Sequence, residues 1–128
     1  MPRSTPIPSN AELVILRILW REGPQTVRAV HDSLRRERDI GYTTVLKTMQ
    51  VMAEKKLVTR DESERSHVYH AAVEEKSIKR RLVSDLLDRA FDGSAAQLVM
   101  QALSDKPASA EDLKKIRQLL KENSRGAR

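Results

Sequence analysis

Thr43-Thr44-Val45-Leu46-Lys47-Thr48-Met49-Gln50-Val51-Met52-Ala53-Glu54-Lys55-Lys56 is the stretch that decides how this chain is read. At 100° per residue, Val45, Leu46, Met49, Met52 and Ala53 share one apolar arc. Thr43, Thr44, Lys47, Thr48 and Gln50 share the opposite arc, with Val51 its single apolar exception. The spacing predicts an amphipathic helix over about 43–56. Its outer arc carries hydroxyls, an amide and one cation, and its only acid, Glu54, comes a turn later. A merely solvated face would favour Glu and Lys. Three threonines in six positions are poor helix formers, so something other than helix propensity placed them there. Two readings stand: a solvated face, or a surface that meets a partner.

Working upstream, Ser9-Asn10-Ala11-Glu12 fits a capping box for a helix over about 10–22. Leu13, Leu16, Ile18, Leu19 and Trp20 give that helix an apolar face, and Gly23-Pro24 stops it. Thr26 is an N-cap for a second helix over about 27–37, with Val27, Val30 and Leu34 on one side. Residues 1–8 hold three prolines and read as a flexible arm. Downstream, residues 57–62 and 67–72 read as two short strands around the polar turn Ser63-Glu64-Arg65-Ser66. Three helices and a hairpin are the element order of a winged helix-turn-helix, whose third helix enters the DNA major groove.

That geometry assigns roles. Lys47 can reach a guanine edge or a phosphate, and Gln50 can pair with adenine. Thr43, Thr44 and Thr48 can offer hydroxyls to phosphates and methyls to thymine. Arg65 sits at the wing tip and Arg60 on the hairpin, where each can meet the backbone or a groove.

The remainder reads as helices over about 75–91, 95–104 and from 110 onward, with residues 122–128 fraying. The expected organisation is a winged-helix domain over 9–73, a helical dimerisation domain over 74–123 and a disordered tail over 124–128. The fold class is mainly α with a small β-hairpin. Ile78, Leu82, Leu86, Leu113, Ile116 and Leu120 form the expected dimer interface, because helices this short cannot bury their apolar sides alone. A monomer with its tail folded back is the competing reading.

Charge alone does not settle the partner. The chain carries 24 basic and 18 acidic residues, net +6, but residues 1–72 and 73–128 each hold 12 and 9. The informative excess is local: Lys47, Lys55, Lys56 and Arg60 against Glu54 between 40 and 60. With no cysteine, thiolate metal sites and cysteine nucleophiles are excluded. His67 and His70 alternate faces on a strand, and His31 has no evident partner, so all three read as exposed structural histidines. Trp20 and the methionines read as core. No catalytic constellation, cofactor motif or metal site is expected. No apolar run approaches a membrane span and no signal peptide is seen, which points to a soluble cytoplasmic protein. A winged helix that binds protein instead of DNA remains the alternative from another class. Such modules turn an apolar or acidic face outward at the third helix, and the Thr/Lys arc speaks against that.

Glu12-Leu13-Val14-Ile15-Leu16-Arg17-Ile18-Leu19-Trp20, Thr26-Val27-Arg28-Ala29-Val30, Tyr42-Thr43-Thr44-Val45-Leu46-Lys47-Thr48-Met49 and Lys56-Leu57-Val58 resemble the bacterial penicillinase-repressor family of the BlaI/MecI/CopY type. Arg60 and Tyr69 of the hairpin also fit, and the likeness runs from about residue 10 to 120. The resemblance implies a homodimeric winged-helix repressor that binds inverted repeats with TACA/TGTA-like half-sites, often in β-lactamase promoters or its own. It places DNA contact on Thr43, Thr44, Lys47 and Thr48, with Arg60 and Arg65 on the backbone or wing groove. It also implies a membrane sensor metallopeptidase that triggers cleavage in the dimerisation region. Three features depart from the family pattern. The position of the family's Asn-Phe scissile bond holds Gln101-Ala102, the cysteine cluster of the copper-responsive branch is missing, and the wing turn has Glu64 before Arg65 in place of the usual glycine.

Overall fold

In the computed structural model, which describes residues 6–126, there are six helices and three short strands. They are α1 (Asn10–Glu22), β1 (Gln25–Thr26), α2 (Val27–Arg35), α3 (Tyr42–Glu54), β2 (Val58–Asp61), β3 (Val68–Ala71), α4 (Glu75–Ala90), α5 (Ala95–Asp105) and α6 (Ala110–Gly126). Local chemistry sets most of these bounds. The Ser9 hydroxyl accepts from the Glu12 amide at 3.2 Å while the Glu12 carboxylate accepts from the Ser9 amide at 2.8 Å, a complete capping box. Gly23, at φ 84°, then ends α1. The Thr26 hydroxyl caps α2 by accepting from the Ala29 amide at 3.1 Å. At the end of α3, Leu57 donates to the Met52 carbonyl at 2.9 Å and Lys56 to that of Ala53 at 3.1 Å. This is a Schellman closure, and it holds Lys56 at φ 68°.

The sheet runs β1-β3-β2, all antiparallel, so the hairpin gains a third strand that the sequence pattern does not announce. β1 is two residues long and polar, and it exists because Gln25 and Thr26 align with Tyr69 and Val68. Sheet formation there is decided by tertiary pairing and not by propensity.

The chain divides into two compact units, Met1–Ser84 and Asp85–Arg128. In the first, Ile15, Leu16, Val30, Val45, Met49, Met52, Leu57, Val58, Tyr69 and Ile78 are among the buried core residues. The division falls later than the 73/74 boundary read from sequence, because the first two turns of α4 belong to this core. Ile78 is fully buried in it and Leu82 packs against it. Ile78 is therefore withdrawn from any surface a second chain can touch, contrary to its expected place at a dimer interface. Trp20 is half-buried, and its indole N–H donates to the Val73 carbonyl at 3.0 Å, tying the wing's exit to α1.

The second unit contains no buried side chain among the described residues. Asp92 and Gly93, both at positive φ, separate α4 from α5. Leu113 and Ile116 are half-buried, while Leu86, Val99, Met100, Leu119 and Leu120 are exposed. Met100 is thus not a core methionine. The expected tail does not begin at 124: nothing in 121–125 breaks a helix, and α6 continues to Gly126. Residues 127–128 of that tail, and residues 1–5 of the expected arm, lie outside the described residues. Pro8, at the arm's end, is buried.

Candidate nucleic-acid interface

α3 is fixed from below by Val45, Met49 and Met52, which leaves its outer surface to be shared between two concavities. On the side of α1, Thr43, Thr44, Lys47 and Thr48 line an open cleft of about 330 Å³ with Ser9, Ala11, Glu12 and Val51. On the side of the wing, Gln50, Arg60 and Arg65 line a groove of about 480 Å³ with Arg28, Tyr42, Leu46 and Tyr69. The seven expected contact residues therefore come together on one helix and the adjoining wing, but as two groups on opposite flanks of α3. Arg28 and Tyr42 join the groove lining in addition to the residues that the helix arc and the hairpin predict. Both lie in strings that carry the family likeness, Tyr42 beside the threonines and Arg28 in Thr26–Val30, but the place of Arg28 in the groove becomes visible only when α2 is packed beside α3.

α3 begins at Gly41, which offers no side-chain cap to the first amides of the helix. Thr48 turns its hydroxyl inward, donating to the Thr44 carbonyl at 2.8 Å. That bond leaves its methyl as the more available contact.

The local excess of positive charge is smaller than its count suggests. Lys55 donates to the buried Glu12 carboxylate at 2.8 Å. Burial alone would push the Glu12 carboxyl up. The Lys55 hydrogen bond and charge and the bonds with Ser9 outweigh it and hold the carboxyl below its usual value. Lys55 is thus a clamp between the ends of α3 and α1, its charge paired with Glu12. Arg60 donates through Nε to Glu62 at 2.7 Å. A hydrogen bond with Tyr69, opposite it in the ladder, and then Glu62 raise the Arg60 pKa above its usual value. Lys47, Arg28 and Arg65 make no ion pair among the described residues.

The wing turns without a glycine because none is required. The Ser63 amide donates to Asp61 Oδ1 at 3.0 Å, and this bond leads in holding the Asp61 carboxyl below its usual value. Among the described residues the only non-glycine positive φ angles are at Lys56 and Asp92, so the turn carrying Arg65 is unstrained. His31, far from lacking a partner, has Nε2 at 2.9 Å from the Ile40 carbonyl oxygen and its ring edge against Tyr42.

The sequence profile described as Penicillinase repressor matches residues 8–122. The chain belongs to the penicillinase repressor family. It is 32% identical over 118 residues to the transcriptional regulator BlaI of Mycobacterium tuberculosis H37Rv, covering 91% of this chain and 85% of that protein. The methicillin resistance regulatory protein MecI of Mammaliicoccus sciuri is 20% identical over 112 residues, 88% and 91% of the two chains. MecI of Staphylococcus aureus N315 is 19% identical over the same coverage. The penicillinase repressor family is one of transcriptional regulators and not of enzymes, and its profile extends across both compact units of this chain.

Proposed function

We propose that this chain is a transcriptional repressor that binds an inverted-repeat operator as a homodimer, with α3 in the major groove and the wing against the backbone or minor groove. One observation carries the reading. The outer face of α3 presents Thr43, Thr44 and Lys47 to solvent beside a groove lined by Arg28, Arg60 and Arg65 and by no carboxylate. Lys47 reads a guanine edge or holds a phosphate, and Gln50 pairs with adenine. Thr43, Thr44 and Thr48 supply hydroxyl and methyl contacts, and Arg60 and Arg65 neutralise phosphates. A phosphate can also complete the bare N-terminus of α3.

Dimerisation rests on the second unit. A helical segment of about forty residues with no buried side chain among the described ones is too small to be stable uncovered. Leu86, Leu113, Ile116 and Leu120 supply the apolar surface for a second copy. The half-sites are TACA/TGTA-like, and repression is steric occlusion of a promoter in the cytoplasm. Like the methicillin resistance regulators named above, the chain controls β-lactam resistance genes or its own operon. Induction follows a membrane sensor metallopeptidase and cleavage in the dimerisation region, for which the bond between Gln101 and Ala102 is the candidate by its position. That bond lies within α5, and Gln101 Nε2 donates to the Asp105 carboxylate at 3.3 Å, so cleavage requires the helix to open first.

Selection of operators from random duplexes by the purified protein, followed by salt titration, tests the reading. Recovery of an inverted repeat whose affinity falls steeply with salt is expected. Weak, salt-independent association with every duplex would instead favour a protein-binding module.

A further inference from the structure

Arg28 occupies the groove wall formed by α2, across from the wing. Its guanidinium carbon lies over the Tyr42 ring, 5.7 Å from the centroid. Tyr42 in turn meets His31 edge-to-face, with centroids 5.8 Å apart and planes at 87°. His31 Nε2 sits 2.9 Å from the Ile40 carbonyl oxygen in the turn between α2 and α3. A contiguous chain of contacts thus runs from the groove to the backbone that leads into α3. A cation–π contact uses the charge of the guanidinium without taking up its N–H donors. It also restrains a long side chain that otherwise samples many rotamers. Arg28 forms no ion pair among the described residues, in contrast to Arg60 on the facing wall. An arginine held this way, in a groove without a lining carboxylate, is suited to a strong anionic acceptor such as a phosphodiester.

We propose that Arg28 is a phosphodiester-contacting residue, and that Tyr42 and His31 are positioning residues that aim it. This rests on the reading that the chain binds DNA. The contact carries no base information, so it strengthens operator and random duplex alike. It also couples strand capture to the turn that sets the start of α3.

The test is the salt dependence of dissociation constants for the full chain on two probes, a random-sequence duplex and the operator recovered by selection. Arg28→Ala is expected to lower the slope of log affinity against log salt by about 0.9 for each copy of Arg28 that meets a phosphate, equally on both probes. Arg28→Glu should weaken both further. Tyr42→Leu should reproduce part of the Arg28→Ala loss, Tyr42→Phe should restore binding, and Arg28→Ala should add less on the Tyr42→Leu background than on wild type. Arg28 is exposed, so thermal unfolding without DNA should not move. An Arg28→Ala slope equal to that of a tightly binding wild type overturns the Arg28 assignment and leaves DNA binding standing. Loss confined to the operator overturns the phosphate contact in favour of a base contact. Additivity of the Arg28 and Tyr42 changes overturns the positioning role. A wild type without salt-sensitive DNA affinity overturns both this inference and the reading beneath it.

Discussion

The winged-helix unit and the helical unit use comparable apolar residues to different ends. In the first, fourteen hydrophobic side chains from Ile15 to Ile78 are buried, and they hold α1, α2, α3 and the sheet around one core. In the second, α5 and α6 carry Leu98, Val99, Leu103, Leu113, Ile116, Leu119 and Leu120, yet no side chain there is buried among the described residues. Hydrophobicity alone does not separate the two. What separates them is whether the chain supplies its own second layer. Three helices crossing a small sheet close a core within one chain, whereas two helices after a break do not. The first unit thus buries its own apolar side chains, and the second leaves Leu86, Val99, Met100, Leu119 and Leu120 exposed.

That contrast can be broken at several points. The largest effect is expected from the combined Leu86→Asp and Leu120→Asp substitution. It should convert a dimer to a monomer in sedimentation and lower operator affinity by about 10²–10⁴-fold, through loss of bivalent engagement. A dimer that survives both charges would remove this surface from the interface. Next is Leu16→Ala, fully buried in the first core. Denaturant unfolding should show a loss of about 2–5 kcal/mol in that unit. Leu86→Asp should leave the same transition in place, and a common collapse would mean that the two units do not fold separately. Lys47→Ala, on the exposed face of α3, should weaken operator binding by about 1–3 kcal/mol at fixed salt if it meets a base edge, with unfolding unchanged.

Smaller effects probe the frame under α3. Ser9→Ala removes half of the capping box and should destabilise the first unit by about 1 kcal/mol. Glu12 supplies a pH dependence whose sign follows from its lowered pKa. The ionised form is favoured in the fold, so its contribution is complete above the unfolded-state pKa. It is lost as pH falls through the lower folded value. Glu12→Gln should flatten this acid limb of the stability curve. An acid limb identical to wild type would show that the Lys55–Glu12 clamp contributes nothing to folding.

Much of the fold was legible because its signals are local. The capping box at Ser9 and Glu12, the stop at Gly23, the Thr26 cap and the arcs of α3 each involve residues within a turn or two of one another. The seven expected contact residues could be named for the same reason, since five of them share one helix arc. Three features were not legible. β1 depends on a strand more than forty residues away in sequence. The reassignment of Ile78 depends on where the first turns of α4 fold back. The reduction of the local charge depends on Lys55 finding Glu12, forty-three positions earlier. Arg28 belongs with these, because an exposed arginine in α2 gains meaning only from the Tyr42 ring beneath it.

By itself, the sequence determined the order of helices and hairpin, the outward face of α3 and the membership of the penicillinase repressor family. Periodicity, caps and turn chemistry act over a few residues and are written directly into the chain. Tertiary structure alone decided which apolar residues are spent inside the winged-helix core, which cations are neutralised and which are left facing the groove. Those outcomes depend on distances between residues far apart in the chain, and burial and charge pairing act through space.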